Sequence, residues 1–120
     1  MWLRTSLFAL LLLVLGGTFA SAQTVNPRQF QFDHDDYALT DTYVVGYYMP
    51  GGTLPVQTVV VAKTAIPPAI PYTGALPRPI LGTYFVKLRA CAGTLCSDWS
   101  NATEQFVFAP LVPVNLAIRP

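Results

Sequence analysis

After residue 22 no stretch repeats apolar residues at i, i+3, i+4 and i+7 for long enough to make a helix, and all eleven prolines lie in that part of the chain, where they would interrupt most helices. Cysteine and histidine are scarce. Two cysteines, Cys91 and Cys96, and one distant histidine, His34, cannot fill a four-ligand zinc site, and Cys-x-x-x-x-Cys lacks the spacing of a redox motif. Excess charge is missing too. Beyond Arg4 there are six basic residues (Arg28, Lys63, Arg78, Lys87, Arg89, Arg119) and six acidic ones (Asp33, Asp35, Asp36, Asp41, Asp98, Glu104). A neutral chain has no long-range field to gather phosphates, which excludes nucleic acid as an expected partner and gives no electrostatic docking on anionic lipid.

The N-terminus does carry a long apolar run. Met1-Trp2-Leu3-Arg4 supplies one positive charge, Leu7 to Leu15 is apolar, and Gly16-Gly17 and Ala20-Ser21-Ala22 follow with small residues where a signal peptidase needs them. Residues 1–22 therefore read as a secretory signal cut before Gln23. The competing reading is an uncleaved anchor, because no charge occurs from Thr5 to Pro27 and a membrane span needs ~20 apolar residues. Gly16, Gly17, Ser21, Gln23 and Asn26 weigh against it, and no cysteine follows the run to carry a lipid. The expectation is a secreted protein, extracellular or periplasmic, with no stable membrane insertion after cleavage. Removing 22 of the 120 residues leaves 98, one domain that buries roughly 65% of its unfolded surface.

An exported chain with two cysteines invites a disulfide. If Cys91 ends one strand and Cys96 begins the next, a short hairpin brings their backbones within the ~4.4 to 6.8 Å that a bridge requires. Closing so short a loop is worth only about 2 kcal/mol on the chain-entropy model. The bridge orders a loop more than it holds a fold.

Elsewhere the chain alternates. Gln29 to Asp33 runs polar, apolar, polar, and the turn-rich stretch Asp33 to Asp41 follows. Thr42 to Met49 sets Tyr43, Val45 and Tyr47 on one face against Val44, Gly46 and Tyr48 on the other, before the turn at Pro50-Gly51-Gly52. Val56 to Ala62 is β-branched and nearly continuous. Five prolines between Ile66 and Pro79 make that span irregular or an edge. Gly82 to Ala90 is the clearest strand, with Tyr84, Val86, Leu88 and Ala90 opposed to Phe85, Lys87 and Arg89, and Glu104 to Phe108 alternates again before Ala109-Pro110. Strands at this spacing predict an all-β sandwich or barrel.

Leu81-Gly82-Thr83-Tyr84-Phe85-Val86-Lys87-Leu88-Arg89-Ala90 resembles the penultimate strand of a fibronectin type III domain, Thr42-Tyr43-Val44-Val45-Gly46-Tyr47 resembles its third strand, and Ser97-Asp98-Trp99-Ser100-Asn101 resembles the serine-rich approach to its last. The resemblance covers residues 29–108. It implies an antiparallel two-sheet Greek-key sandwich over residues 23–109, with Tyr84 as a tyrosine corner whose hydroxyl returns to backbone upstream. Cys96-Ser97-Asp98-Trp99-Ser100 is also similar to the Trp-Ser-x-Trp-Ser box of cytokine receptors, with cysteine in place of the first tryptophan. That likeness implies a cation–π contact between Trp99 and Arg89; receptor function does not follow from it.

The chain departs from the family at its start. Thr24 to Gln29 is too short for a full first strand and its turn, so an edge is left missing or supplied from the C-terminus. In residues 110–120, Val112, Val114, Leu116 and Ile118 alternate with Pro113, Asn115, Ala117 and Arg119. This tail could fold back on its own domain, add to a neighbouring molecule's edge, or begin a further module.

Asp33-His34-Asp35-Asp36 is the one cluster with chemical potential. Its carboxylates could approach a cation such as Ca²⁺, but the ligand set is incomplete and there is no glycine for a tight loop, so a polar loop is the expectation and no metal or cofactor is assigned. No nucleophile, base and oxyanion constellation is present, and the chain reads as a non-enzyme. Asn101-Ala102-Thr103 matches a glycosylation pattern that occurs often by chance, and Pro68 and Pro71 fit solvated bends. Two functional classes remain. One is an interaction module presenting Tyr48, Phe85, Trp99, Thr94 and Leu95 to a protein or glycan. The other is a structural subunit that self-associates by strand exchange through residues 111–120.

Overall fold

The computed structural model describes residues 23–120; the expected signal segment lies outside the described residues. The described chain is all-β apart from two single-turn 3-10 helices, Tyr37–Leu39 and Lys63–Ala65. Its strands are β1 (Thr24–Val25), β2 (Gln29–Phe32), β3 (Thr42–Tyr48), β4 (Gln57–Ala62), β5 (Tyr72–Ala75), β6 (Gly82–Ala92), β7 (Leu95–Cys96) and β8 (Phe106–Phe108). The larger sheet has the order β1-β8-β6-β3-β4, with β7 beside β6, and the smaller is the pair β2-β5.

Period-two patterning decides which side chains face the space between the sheets. Tyr43, Val45 and Tyr47 of β3, Val86 of β6, and Phe106 and Phe108 of β8 are buried. Phe30 of β2, Val59 and Val61 of β4, and Leu88 of β6 pack against this core. The registers that align them are Val45 with Leu88 and Val59, and Tyr84 with Phe106. The proline-rich span yields only β5, which pairs on one side with β2, as a strand bounded by prolines must.

Two expectations about the ends are corrected. First, the residues before β2 do make a strand: Thr24 pairs with Phe106 and Val25 with Val107 in parallel, so the sheet is mixed rather than wholly antiparallel. Asn26 then turns the chain at φ 51°, its N–H donating to the Val107 carbonyl (2.7 Å) and its side-chain oxygen accepting from the Ala109 N–H (2.9 Å). Asparagine is among the few residues that enter this left-handed region readily, so two strand residues and one turn residue cover the edge of β8, while none of them pairs with β2. Second, the tail forms no strand and every residue of 110–120 is exposed. It does not close its own sheet, and among the described residues no strand pairs with the outer edge of β2.

Burial has an electrostatic consequence for three tyrosines of β3. Desolvation raises the phenol pKa of Tyr47, whose hydroxyl donates to the Pro77 carbonyl. It also raises that of Tyr48, opposed in part by the Arg89 charge, and that of Tyr43, where a Thr40 hydrogen bond opposes and Tyr37 and Tyr72 add. A raised phenol pKa means that the folded state holds its proton after the unfolded chain has begun to lose it near pH ~10. Stability from this source is complete below that pH and is lost as pH rises toward the folded pKa values. Melting followed from pH 8 to 11 should be flat up to about pH 9.5 and fall beyond about 10. Tyr47→Phe, which has no proton to lose, should melt lower at neutral pH but fall less steeply, and an unchanged alkaline slope in that variant would contradict the assignment.

Candidate functional site

β6 is eleven residues long, but β8 pairs with only its first three, Gly82 to Tyr84. The outward backbone groups of residues 86–90 therefore need other partners, since unpaired N–H and C=O groups are costly. Residues 97–103 supply them with hydroxyls. Ser97, Ser100 and Thr103 each donate their N–H to a β6 carbonyl, of Ala90 (2.8 Å), Leu88 (2.8 Å) and Val86 (3.0 Å) respectively. Their side-chain oxygens accept the N–H groups of the same three β6 residues at 3.1, 2.9 and 3.0 Å. Each hydroxyl then donates to the carbonyl of its next neighbour, Asp98, Asn101 or Glu104. Three residues of this segment match two of the strand, which advance roughly 6.7 Å, so the segment rises about 2.2 Å per residue, less than the ~3.1 Å of polyproline II. The segment coils, and the coil throws Trp99 across the outer face of the sheet.

There the indole lies over Gly46, where a Cβ would meet two ring carbons at 3.0 Å. It sits edge-on to Tyr48, with centroids 6.0 Å apart, and the Arg89 guanidinium carbon is 4.3 Å from its centre. The Arg89 Nε is buried with no hydrogen-bond partner among the described residues, and the guanidinium lies over the aromatic face. Tyr48 stacks on Phe85 at 5.2 Å, and the Lys87 ammonium lies 5.0 Å from the Tyr48 ring. Tyr48, expected as an exposed binding residue, is consequently 1% exposed. Alternation placed it on the outer face correctly, but that face is roofed by Trp99 and Phe85. Phe85 and Trp99 are half-buried.

Cys91 and Cys96 are disulfide-bonded opposite one another in register, with Cα atoms 4.1 Å apart, slightly closer than the expected span. Gly93 opens the two-residue turn at φ 60°, the left-handed conformation that a hairpin with glycine at its first central position needs. The Asp41 carboxylate accepts the Gly93 N–H at 2.9 Å. Thr94 and Leu95 project from this stapled tip, and Leu95 is 79% exposed. Tyr84 folds back over Gly82 (φ 136°) and donates its hydroxyl to the Leu81 carbonyl at 2.8 Å.

The acidic cluster does not assemble. Among the described residues no three His, Cys, Asp or Glu side chains are grouped as a metal ion would require. Asp36 contributes its carbonyl to the Leu39 N–H and the Thr40 hydroxyl, His34 Nδ1 and the Tyr43 hydroxyl share a 2.9 Å hydrogen bond, and Asp41 is engaged at the hairpin. No known protein family matches the chain, and neither a curated protein nor a solved structure resembles it significantly.

Three variants test this account of the outer face. Thr103→Val keeps the shape but strands the part-buried Val86 N–H, and should cost about 1 to 3 kcal/mol, while Ser97→Ala, whose partner is reached by water, should cost under about 1 kcal/mol. Equal melting temperatures for the two would contradict the hydroxyl clamp. Gly46→Ala should push the indole outward at a cost of about 1 to 3 kcal/mol, or several degrees of melting temperature. Trp99 is the only tryptophan after residue 22, so its emission should shift to the red, and unshifted emission would contradict the close approach.

Proposed function

We propose that the chain is a fibronectin type III-like Greek-key module, exported to the extracellular space or periplasm, that binds a protein partner and has no catalytic activity of its own. The β2-β5 pair facing a sheet built from β8, β6, β3 and β4 supports the family reading, as do the Tyr84 hydrogen bond and the Arg89-Trp99 contact. The disulfide is compatible with export, and no helix among the described residues is long and apolar enough to cross a membrane. The polar side chains near the outer face hold the protein's own backbone, which leaves display as the use of the surface.

The observation that carries the reading is Leu95, a large aliphatic side chain held in water at the tip of a hairpin fixed by the Cys91–Cys96 bridge and the Asp41 contact. A knob whose loop is already ordered loses little entropy on binding. Protein is favoured over glycan because sugars stack on open aromatic faces, and here Trp99 packs on Arg89 and Gly46 while Phe85 packs on Tyr48.

Binding of the purified exported chain to the surface proteins of its source cells tests this. Leu95→Asp should weaken retention at least ~10-fold, the effect of ~1.4 kcal/mol or more, with melting unchanged because Leu95 is exposed. Equal retention of both forms, or a glycan-array signal indifferent to Leu95, would overturn the reading.

A further inference from the structure

Among the described residues no strand pairs with the outer edge of β2, and that flank opens into the core. Between the free edge of β2 and the 97–103 segment runs a cleft of about 500 Å³, with Phe30 and Phe32 on one wall and Val45, Val86 and Leu88 at its floor. Asp33 and Asp98 stand among its lining residues. A flank of this kind exposes both unpaired backbone groups and core side chains, the pairing hazard that folded β-proteins ordinarily cover.

The same chain carries a segment with the complementary deficit. Val112, Val114, Leu116 and Ile118 are 84%, 77%, 91% and 94% exposed, at the period that puts all four on one face of a strand. Pro113 has no N–H, and it lies in the alternate set with Asn115, Ala117 and Arg119, so a strand bonded through the backbone of residues 112, 114, 116 and 118 loses nothing to the proline. Asn115, at φ 59°, is the one residue of 112–118 in the left-handed region, and it bends the free tail. Arg119 follows with a charge opposite to that of Asp33 and Asp98.

The tail is free beyond its anchor. The Ala109 N–H is held by the Asn26 side chain and the Ala109 carbonyl by Arg78. From Pro110 onward every residue is exposed and none pairs with a strand of its own copy, so these side chains are available to a second one.

We propose that residues 111–119 of one copy add as a strand to the free edge of β2 in a second copy, with Val112, Val114, Leu116 and Ile118 entering the cleft and Arg119 meeting Asp33 and Asp98. This goes beyond the partner-binding reading and uses a different surface from Leu95. The contact is head-to-tail, so it builds chains or closed rings rather than being limited to pairs.

Cysteine trapping with the complete exported chain tests it. Gln31 lies on the exposed face of β2, so Gln31→Cys on one population should form a disulfide with Asn115→Cys or Ala117→Cys on another when the two are mixed. The product expected is a covalent dimer on a non-reducing gel, with oligomers that grow with concentration in light scattering of the wild type. Leu116→Asp with Ile118→Asp should abolish both and leave melting of the monomer unchanged, because those side chains are 91% and 94% exposed in the free chain. A wild type that stays monomeric at millimolar concentration with no cross-link would overturn the proposal. So would a cross-link formed only within a single chain bearing both cysteines, which would mean that the tail fills its own cleft.

Discussion

The outer edge of β6 between Val86 and Ala90 is the constraint on which the rest of the molecule depends. A central strand of eleven residues bordered by a strand of three has backbone groups that must be satisfied by something other than a sheet partner. Ser97, Ser100 and Thr103 meet this need with six hydrogen bonds to β6, three through their N–H groups and three through their hydroxyls. The coiling imposed by that match puts Trp99 over Gly46 and beside Arg89, and the indole with Phe85 encloses Tyr48. The same segment leads out of the stapled hairpin on one side and forms a wall of the open cleft on the other. One solution to a backbone problem thus shapes both the displayed knob and the unfilled flank.

The division of labour follows from chemistry. Hydroxyls and amide groups near the outer face are engaged internally, the two cations lie over aromatic rings, and the sole histidine bonds to a buried tyrosine. Among the exposed aliphatic side chains are Leu95 on a rigid tip and the alternating residues of a free tail. Aliphatic side chains held in water gain most from burial against another surface, and so the two proposed contacts, one with a foreign protein and one between copies, share a driving force while using separate parts of the chain.

Much of the strand layout was legible because alternation reports faces directly. Tyr43, Val45 and Tyr47 face the core as their spacing requires, the Cys91–Cys96 hairpin follows from the cysteine spacing, and Arg89 stands beside Trp99. The misreadings have physical causes. Alternation assigns Tyr48 to the outer face but says nothing about what covers that face, and the cover is a non-strand segment whose three-residue rhythm of Ser97, Ser100 and Thr103 is visible in the sequence but belongs to no regular element. A two-residue strand such as β1 is below the length at which any period can be recognised, and its parallel pairing depends on Asn26 entering the left-handed region. The alternation of Val112, Val114, Leu116 and Ile118 has the period of a strand, but the tail forms none, because no strand of its own copy pairs with it.

Amide hydrogen exchange at Val86, Leu88 and Ala90 tests the central claim most directly. If hydroxyls of residues 97–103 complete the edge of β6, these three amides should be protected to the level of the amides that pair β6 with β3. Exchange at the rate of an open loop, with the β3 ladder still protected, would show that the edge is bare and that neither the position of Trp99 nor the wall of the cleft is explained.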